Sequence, residues 1–444
     1  MSGRKIIIGA ILWIGTICGA LMAQADTNGR LSVLDFGAAG DGRTDCTAAF
    51  QMALDKAGRD EIGGTVFVPA GNYLIAGHLN IPSNVTLEGI WQIPTAWTQH
   101  KGSTLLAVEG DGNPAGAPFI TLWNNSVVKG LTVFYPNQVH TNPPKAYPWT
   151  IASGGSDNSS IIDVLLVNPY QAVDFGSKPA GRHYIRNLYG QPLLKGLYVD
   201  QCYDIGRVEN VHFWPFWTCG RAELNGIQDF ITANGEAFIF GRTDWEYVFN
   251  TFSWGYKIGY HFIRTDSGVA NGNFLGIGAD ATNKALLVDD CAPYGLLITN
   301  GEFVSMLGPE PTSVDVSTSN TGVVQFQNCA FWGPAARIAK IEGAGTVTFN
   351  TCNFSFWDFG VSKLPAIEAS GGNLIVTSSN FGRPGQHILL NPGVASAVIT
   401  GNRFSGSAKI MNKSKGDVQI GLNTGNLPRK KGTGPKSKKP IPTD

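Results

Sequence analysis

The chain has 444 residues, of which 56 are glycine, 11% are aromatic and only 15% are charged, and its formal net charge is zero. Soluble domains usually carry about 25% charged residues, so the helix-favouring Glu, Lys and Arg are scarce here. Frequent β-branched, aromatic and turn-forming residues predict a mostly β protein. Only seven residues are cysteine, which excludes a disulfide-rich scaffold.

The first 25 residues have the layout of a secretory signal peptide. Arg4 and Lys5 precede an apolar run over residues 6–20, and the small-residue pattern Ala23-Gln24-Ala25 follows. We predict that residues 1–25 are removed and that the protein is secreted or periplasmic. The apolar run is shorter than the roughly 20 residues of a membrane span, and no later segment is long and apolar enough, so no membrane span is predicted.

Residues 33–90 contain a predicted helix followed by a strand, a turn and a second strand. Thr44 or Asp45 can cap a helix that runs into residues 51–56, where apolar residues recur at helical spacing. Residues 63–75 then alternate apolar and polar positions around a Pro-Ala-Gly sequence, which indicates two strands joined by a turn.

This segment resembles the N-terminal part of the pectate lyase superfamily, which contains rhamnogalacturonase- and polygalacturonase-like hydrolases, epimerase-like proteins and some phage tailspikes. The resemblance implies a right-handed parallel β-helix in which residues 33–90 form the N-terminal cap and the first coils. It also implies that Asp41 and Asp45 are turn and capping residues rather than catalytic ones. The superfamily includes trimers, so both a monomer and a homotrimer are compatible with it.

A weak repeat that ends in phenylalanine runs along the rest of the chain, with steps of 22, 29, 28, 23, 27 and 23 residues. A period in the twenties indicates a solenoid, and short alternating segments with Asn or Gly at their ends indicate strands as its unit. We predict a single all-β, parallel β-helix domain over residues 30–425, with Phe and Asn ladders about 4.8 Å apart between coils. The closing residues are Phe252, Phe274, Phe303, Phe331, Phe354, Phe381 and Phe404, and Phe213 closes an earlier copy.

The cysteines are expected to be mostly buried thiols. No CxxC motif and no Cys/His cluster with zinc spacing occurs, so no metal site is predicted. Cys329 and Cys352 are expected to stack on adjacent coils, and a disulfide between Cys202 and Cys219 is an alternative for that pair. The cysteines that remain after the signal peptide are Cys46, Cys202, Cys219, Cys291, Cys329 and Cys352.

Acidic residues recur one coil apart in the middle of the chain. The triplet Arg-Thr-Asp occurs at 242–244 and again at 264–266, which predicts that the two copies stack on neighbouring coils. Glycoside hydrolysis needs one protonated and one ionised carboxyl group, and repulsion between stacked carboxylates raises some pKa values. The alternative is that these residues cap strand ends and corners. The predicted catalytic residues are Asp266, Asp289 and Asp290, followed by Asp244 and Asp200.

Two of these segments resemble motifs of polygalacturonase-type hydrolases. Residues 264–266 and the pair Asp289-Asp290 are similar in spacing to the Asn-Thr-Asp and Asp-Asp motifs of that family. The chain lacks the family's Gly-His-Gly and Arg-Ile-Lys motifs, so the resemblance does not extend to membership in it.

Aromatic and cationic side chains crowd the same coils and are predicted to bind a polysaccharide. Flat aromatic faces suit sugar rings, whereas the alternative for each ring is packing against the solenoid. Residues 213–236 are predicted to form a loop beside the site, with Arg221 and Glu223 reaching into it. The predicted substrate-binding residues are Arg207, Arg242, Arg264, His212, Trp214, Trp217, Trp245, Trp254 and Tyr256.

Three functions are compatible with these residues. The leading one is a polysaccharide-cleaving glycoside hydrolase that needs no cofactor. The second is a uronate lyase or epimerase, in which the arginines neutralise the uronate and the Asp residues hold Ca²⁺. The third is a non-catalytic carbohydrate-binding surface protein.

Residues 426–444 are predicted to form a basic, disordered tail. Residues 429–431 and three later lysines lie in a Pro/Gly-rich stretch without apolar periodicity. The functional interpretation of this tail is adhesion to an anionic wall or polymer. The rest of the mature chain is mildly acidic, which argues against a nucleic-acid partner.

Overall fold

The computed structural model describes residues 30–59, 63–92, 94, 101–359 and 363–425. The predicted signal peptide, residues 1–25, and the predicted basic tail, residues 426–444, lie outside the described residues. Within the described residues, no helix is both long enough and apolar enough to cross a membrane.

Two α-helices and many short strands follow one another along the described chain. The helices are α1 (Thr47–Gly58) and α2 (Asn225–Asn234), and 3-10 turns span Val33–Phe36 and Ala222–Leu224. The strands are β1 (Arg30–Ser32), β2 (Asp41–Asp45), β3 (Gly64–Val68), β4 (Gly71–Ile75), β5 (Leu79–Ile81), β6 (Val85–Gly89), β7 (Ser103–Ala107), β8 (Ile120–Leu122), β9 (Val127–Phe134), β10 (Trp149–Ser153), β11 (Ser156–Asp157), β12 (Ser160–Val167), β13 (Gln171–Phe175), β14 (Ala180–Gly181), β15 (Tyr184–Gly190), β16 (Lys195–Val199), β17 (Arg207–Glu209), β18 (His212–Phe213), β19 (Glu236–Phe240), β20 (Glu246–Phe249), β21 (Phe252–Trp254), β22 (Ile258–Phe262), β23 (Ala270–Leu275), β24 (Gly278–Thr282), β25 (Lys284–Val288), β26 (Cys291–Thr299), β27 (Glu302–Ser305), β28 (Thr312–Val316), β29 (Val323–Gln327), β30 (Ala330–Trp332), β31 (Arg337–Ile341), β32 (Thr346–Asn350), β33 (Asn353–Phe354), β34 (Ile367–Ala369), β35 (Asn373–Thr377), β36 (Asn380–Phe381), β37 (Ile388–Leu390), β38 (Ser396–Thr400), β39 (Arg403–Phe404), β40 (Ile410–Asn412) and β41 (Asp417–Gly421).

The strands form three parallel ladders that wind as a right-handed β-helix, which confirms the predicted fold class. Ladder 1 runs from β1 through β17, β20, β23 and β26 to β41, and ladder 2 runs from β2 through β18, β21, β24 and β27 to β39. The long strands β9, β12 and β15 belong to both of these ladders. Ladder 3 runs from β5 through β16, β19, β22 and β25 to β40. One coil therefore passes from ladder 3 to ladder 1 to ladder 2, as β22, β23 and β24 do before β25 begins the next coil.

Side chains alternate between the interior of the solenoid and its surface, because successive residues of a strand point to opposite faces. Phe303, Phe331, Phe354, Phe381 and Phe404 are Cα partners in ladder 2 and are all buried. Their ring centroids follow one another at 5.3, 5.5, 4.7 and 4.7 Å. The predicted phenylalanine ladder is confirmed over these coils.

Asparagine forms the corner between ladders 1 and 2. Asn210, Asn250, Asn300 and Asn328 all have positive φ there, a conformation that asparagine tolerates better than most residues. Their side chains also bond along the solenoid, as when Asn328 Nδ2 donates to Asn300 Oδ1 at 2.8 Å. This arrangement confirms the predicted asparagine ladder.

The earlier part of the phenylalanine repeat has a different register from the predicted one. Phe274 is the Cα partner of Val248 in ladder 1, whereas Phe252 is the partner of Gly278 in ladder 2. Phe213 pairs with Ser253, one residue beyond Phe252. The alignment of these three phenylalanines was therefore wrong, because turns of unequal length separate the strands of each coil.

Helix α1 covers the N-terminal end of the solenoid, as the resemblance implied. Its buried residues, which include Phe50 and Leu54, face the first coils. Asp45 Oδ1 accepts the backbone N–H of Thr47 at 2.9 Å at the start of the helix. Asp41 Oδ1 accepts the N–H of Thr44, also at 2.9 Å. Asp41 therefore stabilises a turn, and Asp45 binds the first N–H of α1, although the N-cap residue is Cys46 rather than the predicted Thr44 or Asp45.

All six cysteines in the described residues are free thiols, and five of them are buried. Cys329 and Cys352 lie on adjacent coils, as expected. The alternative of a Cys202–Cys219 disulfide was wrong. Cys202 is buried on the coil that follows β16, whereas Cys219 belongs to the segment before α2, at the other end of the ladder-3 strands.

The segment predicted as a loop, residues 213–236, contains α2. Phe230 of this helix packs on Tyr170, with ring centroids 6.2 Å apart, and Gln228 and Thr232 both donate to Gly255 O at 3.0 Å. Tyr170 immediately precedes β13, and Gly255 lies three residues before β22. Helix α2 therefore runs beside the N-terminal ends of the ladder-3 strands.

Candidate functional site

The outward face of ladder 3 carries ionisable side chains in neighbouring coils. Its inward residues, such as Phe238 and Tyr260, are buried and stack with ring centroids 4.8 Å apart. Alternation along the strands therefore turns the intervening residues outward. This outward row holds Tyr198, Ile239, His261 and Leu287. The first residues of the same strands, Lys195, Glu236, Ile258 and Lys284, form a second row, at which the regular alternation does not yet hold.

His261 lies between two carboxylates on this face. Its Nδ1 is 2.9 Å from Glu236 Oε2 and its Nε2 is 2.9 Å from Asp289 Oδ2. Ser317 on the next coil donates its hydroxyl to Asp289 Oδ1 at 2.8 Å. The side chains of Glu236, His261 and Asp289 are 27%, 13% and 39% exposed, so both carboxylates remain accessible from solvent. We call these three residues the His261 cluster.

The charges of the His261 cluster depend on these hydrogen bonds. Burial disfavours the charged imidazole, but its bonds to Asp289 and Glu236 outweigh burial and raise the pKa of His261 to about 9. The same bond from His261, followed by that from Ser317, lowers the pKa of Asp289. At neutral pH the cluster is therefore an imidazolium ion with an ionised Asp289.

The two carboxylates accept hydrogen bonds on opposite sides of one imidazole ring. That arrangement holds them farther apart than the about 5 Å of a retaining pair and suits the about 6.5–9.5 Å of an inverting pair. The imidazole also fixes the direction in which each carboxylate points. The geometry therefore supplies a positioned pair of carboxylates on an accessible surface.

An aromatic surface adjoins the His261 cluster on the same face. The rings of Trp149 and Tyr198 stack with centroids 6.4 Å apart. Tyr198 donates its hydroxyl to Asp200 Oδ2 at 3.3 Å. Burial, followed by the charge of Asp200, raises the pKa of Tyr198, so its phenol stays neutral. This surface can stack against a sugar ring, and the Tyr198 oxygen can accept a hydrogen bond from a sugar hydroxyl.

Asp200 and Asp290, two of the predicted catalytic residues, are buried and hydrogen-bonded. Asp200 Oδ1 accepts the backbone N–H of Arg242 at 2.5 Å and the hydroxyl of Thr265 at 3.1 Å. Asp290 is 0% exposed and accepts the N–H of Thr321 at 2.9 Å. Its second oxygen forms an ion pair with Arg264. These contacts match the alternative in which the aspartates cap strand ends.

Asp244 and Asp266 are exposed in the turns that follow ladder 3. Asp244 lies 3.8 Å from Arg242, and the structure gives Asp266 no hydrogen bond among the described residues. The five predicted catalytic aspartates therefore do not converge on one face. For the same reason they do not assemble, within the described chain, the oxygen cage that Ca²⁺ requires.

The register of these turns also differs from the predicted one. Both Arg-Thr-Asp triplets follow paired residues, Phe240 and Phe262, but the chains then diverge. Thr243 is buried and pairs with Cys202, whereas Thr265 forms a tight turn and packs over Gly241. The expected stacking of the triplets was therefore wrong. Asp200 and Asp290 each precede a closing phenylalanine by 13 residues, which predicts that they are equivalent. This prediction was wrong: Asp289 is the residue equivalent to Asp200, because Val199 and Val288 occupy the same inward position of ladder 3.

The predicted substrate-binding arginines have separate positions. Arg264 pairs with the buried Asp290, and Arg242 lies over the ring of Tyr203, with its Cζ 5.8 Å from the centroid. Arg207 is exposed on ladder 1. None of the three contacts the His261 cluster.

Most of the predicted aromatic residues pack at the opposite end of the ladder-3 strands from Asp289. Trp217 and Tyr256 are buried, and Tyr256 donates its hydroxyl to Pro192 O at 2.9 Å. His212 lies among aromatic rings, and burial lowers its pKa. Trp214 packs on Trp254, with ring centroids 5.7 Å apart. These rings therefore pack against the solenoid, which was the alternative to sugar binding.

Arg221 and Glu223 do not reach the His261 cluster either. Arg221 Nε donates to Glu223 Oε1 at 3.0 Å, and both side chains are exposed. Their predicted position in the site was wrong, because each neutralises the other at the start of the segment that leads into α2.

A cavity of about 650 Å³ lies over ladder 1, away from the His261 cluster. Arg207 lines it together with the outward side chains of Tyr247, Phe249, Leu275 and Leu297. Phe249 is 50% exposed. The exposed Trp245 is next to this cavity and donates its indole N–H to Tyr247 at 3.0 Å. We call this the ladder-1 cavity.

Tyr198, Glu236 and His261 were not among the residues predicted from the sequence. The signal for His261 is its place between Tyr260 and Phe262, because an apolar residue on either side indicates a strand that turns the histidine outward. Glu236 has no comparable signal, since its contact with His261 joins different coils.

Comparisons with known proteins were made for sequence and for fold. Residues 31–182 match the family model "Rhamnogalacturonase A/epimerase, pectate lyase-like". Mannuronan C5-epimerase AlgE3 of Azotobacter vinelandii is 38% identical over 93 residues, which cover 18% of this chain and 5% of that protein. Probable rhamnogalacturonase C of Aspergillus niger is 27% identical over 124 residues, which cover 25% of each chain. The matched part of this chain thus spans a quarter or less of the length of these curated relatives.

Solved structures resemble the chain over most of its length. The A-module of mannuronan C-5 epimerase AlgE6 of Azotobacter vinelandii has a TM-score of 0.53 at 16% identity, covering 90% of this chain and all of that one. The pre-mature gene product 12 of bacteriophage phi29 has a TM-score of 0.56 at 15% identity, covering 89% of this chain and 56% of that one. At these identities the likeness is one of fold.

Proposed function

We propose that this chain, whose residues 31–182 match a pectate lyase-like family model, hydrolyses glycosidic bonds of a polysaccharide on the outward face of ladder 3. Glu236 and Asp289 are the acid and base of this proposal. The observation that carries it is the placement of both carboxylates, partly exposed, on opposite sides of His261. The names of the relatives, a mannuronan epimerase and a rhamnogalacturonase, support a polysaccharide as the substrate class.

The two carboxylates have different roles in this mechanism. The hydrogen bond from His261 lowers the pKa of Asp289, which keeps this carboxylate ionised and suits it to activate a water molecule. Glu236 accepts a hydrogen bond from the imidazolium of His261, so in this scheme it passes a proton from His261 Nδ1 to the glycosidic oxygen on the other side of the scissile bond. His261 also orients both carboxylates. The separation of the carboxylates matches that of an inverting pair, so the expected stereochemical outcome is inversion.

The surroundings of the His261 cluster suit a polymer that crosses the strands. Trp149 and Tyr198 lie on coils that precede it and offer a stacked aromatic surface to a sugar ring. Helix α2 borders the N-terminal ends of these strands, and the turns that carry Asp200 and Asp289 border their C-terminal ends. A chain of sugars can therefore lie along the solenoid axis between these two borders.

A uronate lyase or epimerase is the second candidate, and Tyr198 favours it. Its neutral phenol shares an outward row with His261, and Lys195 is paired with Glu236 at the start of the neighbouring strand. β-Elimination needs a base for the C5 proton, an acid for the leaving oxygen and a cation beside the uronate carboxylate. Tyr198 is of the type required for the acid, Lys195 for the cation and the ionised Asp289 for the base, since His261 is already protonated at neutral pH. Non-catalytic binding, the third hypothesis, is supported by the exposed apolar lining of the ladder-1 cavity.

The test is a polysaccharide panel assayed for new reducing ends and for the ultraviolet absorbance of unsaturated products, with and without EDTA. Reducing ends without that absorbance, lost in Glu236→Gln and Asp289→Asn, support the hydrolase. Glu302→Gln, an exposed carboxylate on ladder 2, is the matched control. Unsaturated products identify a lyase instead. If Asp266→Asn abolishes cleavage while Glu236→Gln does not, catalysis belongs to the turn aspartates and our assignment fails.

A further inference from the structure

A second cluster of ionisable side chains lies inside the solenoid, apart from the His261 cluster. His183, Cys202 and Glu246 are all 0% exposed. Their ligand-type atoms lie within 4.8 Å of one another, and His183 Nε2 is 2.9 Å from Glu246 Oε1. Charged or polar groups are costly to bury unless each is satisfied, so this cluster calls for a physical explanation.

The coil register explains how the cluster forms. Tyr184, Arg207 and Tyr247 are Cα partners in ladder 1, so the residues that precede them, His183, Gly206 and Glu246, occupy equivalent positions of three coils. A Cβ atom at Gly206 would overlap both His183 Cε1 and Glu246 Oε2. The glycine on the middle coil therefore leaves a slot in which the side chains from the outer two coils meet.

Two details of the cluster point to a missing ligand. Glu246 Oε2 is buried and accepts no hydrogen bond in the described structure. His183 Nδ1 is 2.8 Å from Ala180 O, and because a carbonyl only accepts, Nδ1 carries the proton of this bond. A histidine held by a carbonyl in this way presents Nε2 toward the cluster, which is the usual outer arrangement of a metal-binding histidine.

We propose that His183 Nε2, Cys202 Sγ and the Glu246 carboxylate bind one divalent transition-metal ion, for which Zn²⁺ is the best match. A thiolate and a carboxylate together carry two negative charges, so a divalent cation makes the buried site neutral. The cysteine thiol releases its proton when the metal binds. Sulfur and imidazole ligands favour zinc over Ca²⁺ and Mg²⁺, which prefer oxygen.

The distances are compatible with this site after small movements. Zinc–ligand bonds of about 2.0–2.3 Å place the ligand atoms of a tetrahedral site roughly 3–4 Å apart. The Glu246 carboxylate would move slightly away from His183, and its unpaired Oε2 would gain a partner. Three protein ligands leave the fourth position for one water molecule.

The metal would connect three consecutive coils and would be a structural element. Cys202 also links the metal site to the aromatic surface. Its backbone N–H donates to Arg242 O at 3.1 Å, and Asp200, two residues earlier, accepts the hydroxyl of Tyr198. The site does not depend on the proposed hydrolysis, since it lies on the interior side of ladder 1.

The test measures metal bound to the full-length protein after unfolding in EDTA and refolding with Zn²⁺ or Co²⁺. We expect one metal per chain, a sulfur-to-Co²⁺ charge-transfer band, and a melting temperature that EDTA treatment before refolding lowers. Cys202→Ser should weaken binding at least about tenfold and remove the band. Cys329→Ser, a buried thiol elsewhere in the core, should change neither.

The wild-type protein keeps the test decisive even if Cys202→Ser fails to fold. A charge-transfer band in refolded wild-type protein that persists in Cys329→Ser supports the site, because it requires a cysteine ligand. Correctly refolded wild-type protein that retains no metal, shows no band and melts at the same temperature with and without EDTA would overturn the proposal. The cluster would then be a buried His183–Glu246 ion pair.

Discussion

His261 Nε2 and Asp289 Oδ2 lie 2.9 Å apart on consecutive coils of ladder 3, although 28 residues separate them in the chain. The same imidazole binds Glu236 from the preceding coil. One side chain thus fixes the orientation of two carboxylates across three coils. The bond from His261 lowers the pKa of Asp289, which keeps this carboxylate ionised and suits it to act as a base.

Removing either carboxylate should abolish most of the activity. Glu236→Gln and Asp289→Asn keep the shape of each side chain but cannot exchange the proton, so cleavage should fall about 100- to 10,000-fold. Initial rates on the polysaccharide identified by the panel measure this loss, with Glu302→Gln as the control. Full activity in both variants would place the chemistry elsewhere.

Tyr198→Phe separates the two catalytic candidates. The variant keeps the ring that stacks on Trp149 but loses the hydroxyl that bonds Asp200. A hydrolase that uses Glu236 and Asp289 should retain activity within about tenfold, since one peripheral hydrogen bond contributes about 1 kcal/mol. A drop of about 100-fold or more in the same rate assay would favour the lyase or epimerase, which needs the phenol as an acid.

The protein should become less stable at alkaline pH because His261 loses its proton there. Its pKa is raised from 6.5 to about 9 in the folded protein, so its contribution is complete below about pH 6.5 and is lost as pH rises through 9. The stabilisation that disappears is about 3 kcal/mol. Melting temperatures of the wild type and His261→Asn on both sides of this window measure it. The two proteins should converge at high pH, and a constant difference would contradict the expectation.

Gly206→Ala should destabilise the fold through a steric clash. The added Cβ overlaps His183 and Glu246, and overpacking of this kind costs about 1–3 kcal/mol. Gly421→Ala is the matched control, because its Cβ would meet no atom within 4 Å. Denaturant unfolding of both variants checks the expectation, and equal stability would show that the slot is wider than the structure has it.

Phe354→Ala should strongly destabilise the solenoid. The ring is fully buried between Phe331 and Phe381, and truncation of such a phenylalanine costs about 3–5 kcal/mol. Phe359→Ala, whose side chain is 60% exposed, should change the free energy of unfolding much less. Chemical unfolding distinguishes the two, and similar losses would argue against a continuous phenylalanine ladder.

The sequence by itself determined the fold class of this protein. The regular Phe copies from Phe303 to Phe404, the Asn corners and the helix signals around Asp45 were enough, because strand alternation and turn chemistry are local properties. The match of residues 31–182 to a pectate lyase-like family model confirms the predicted resemblance.

Only the tertiary structure decided which side chains meet. Turns of unequal length shift the register between coils, so Asp289 rather than Asp290 is equivalent to Asp200, and Phe274 belongs to a different ladder from Phe303. The His261 cluster and the His183–Cys202–Glu246 cluster each join residues from three coils. Such contacts depend on register across the solenoid, which no local pattern in the sequence specifies.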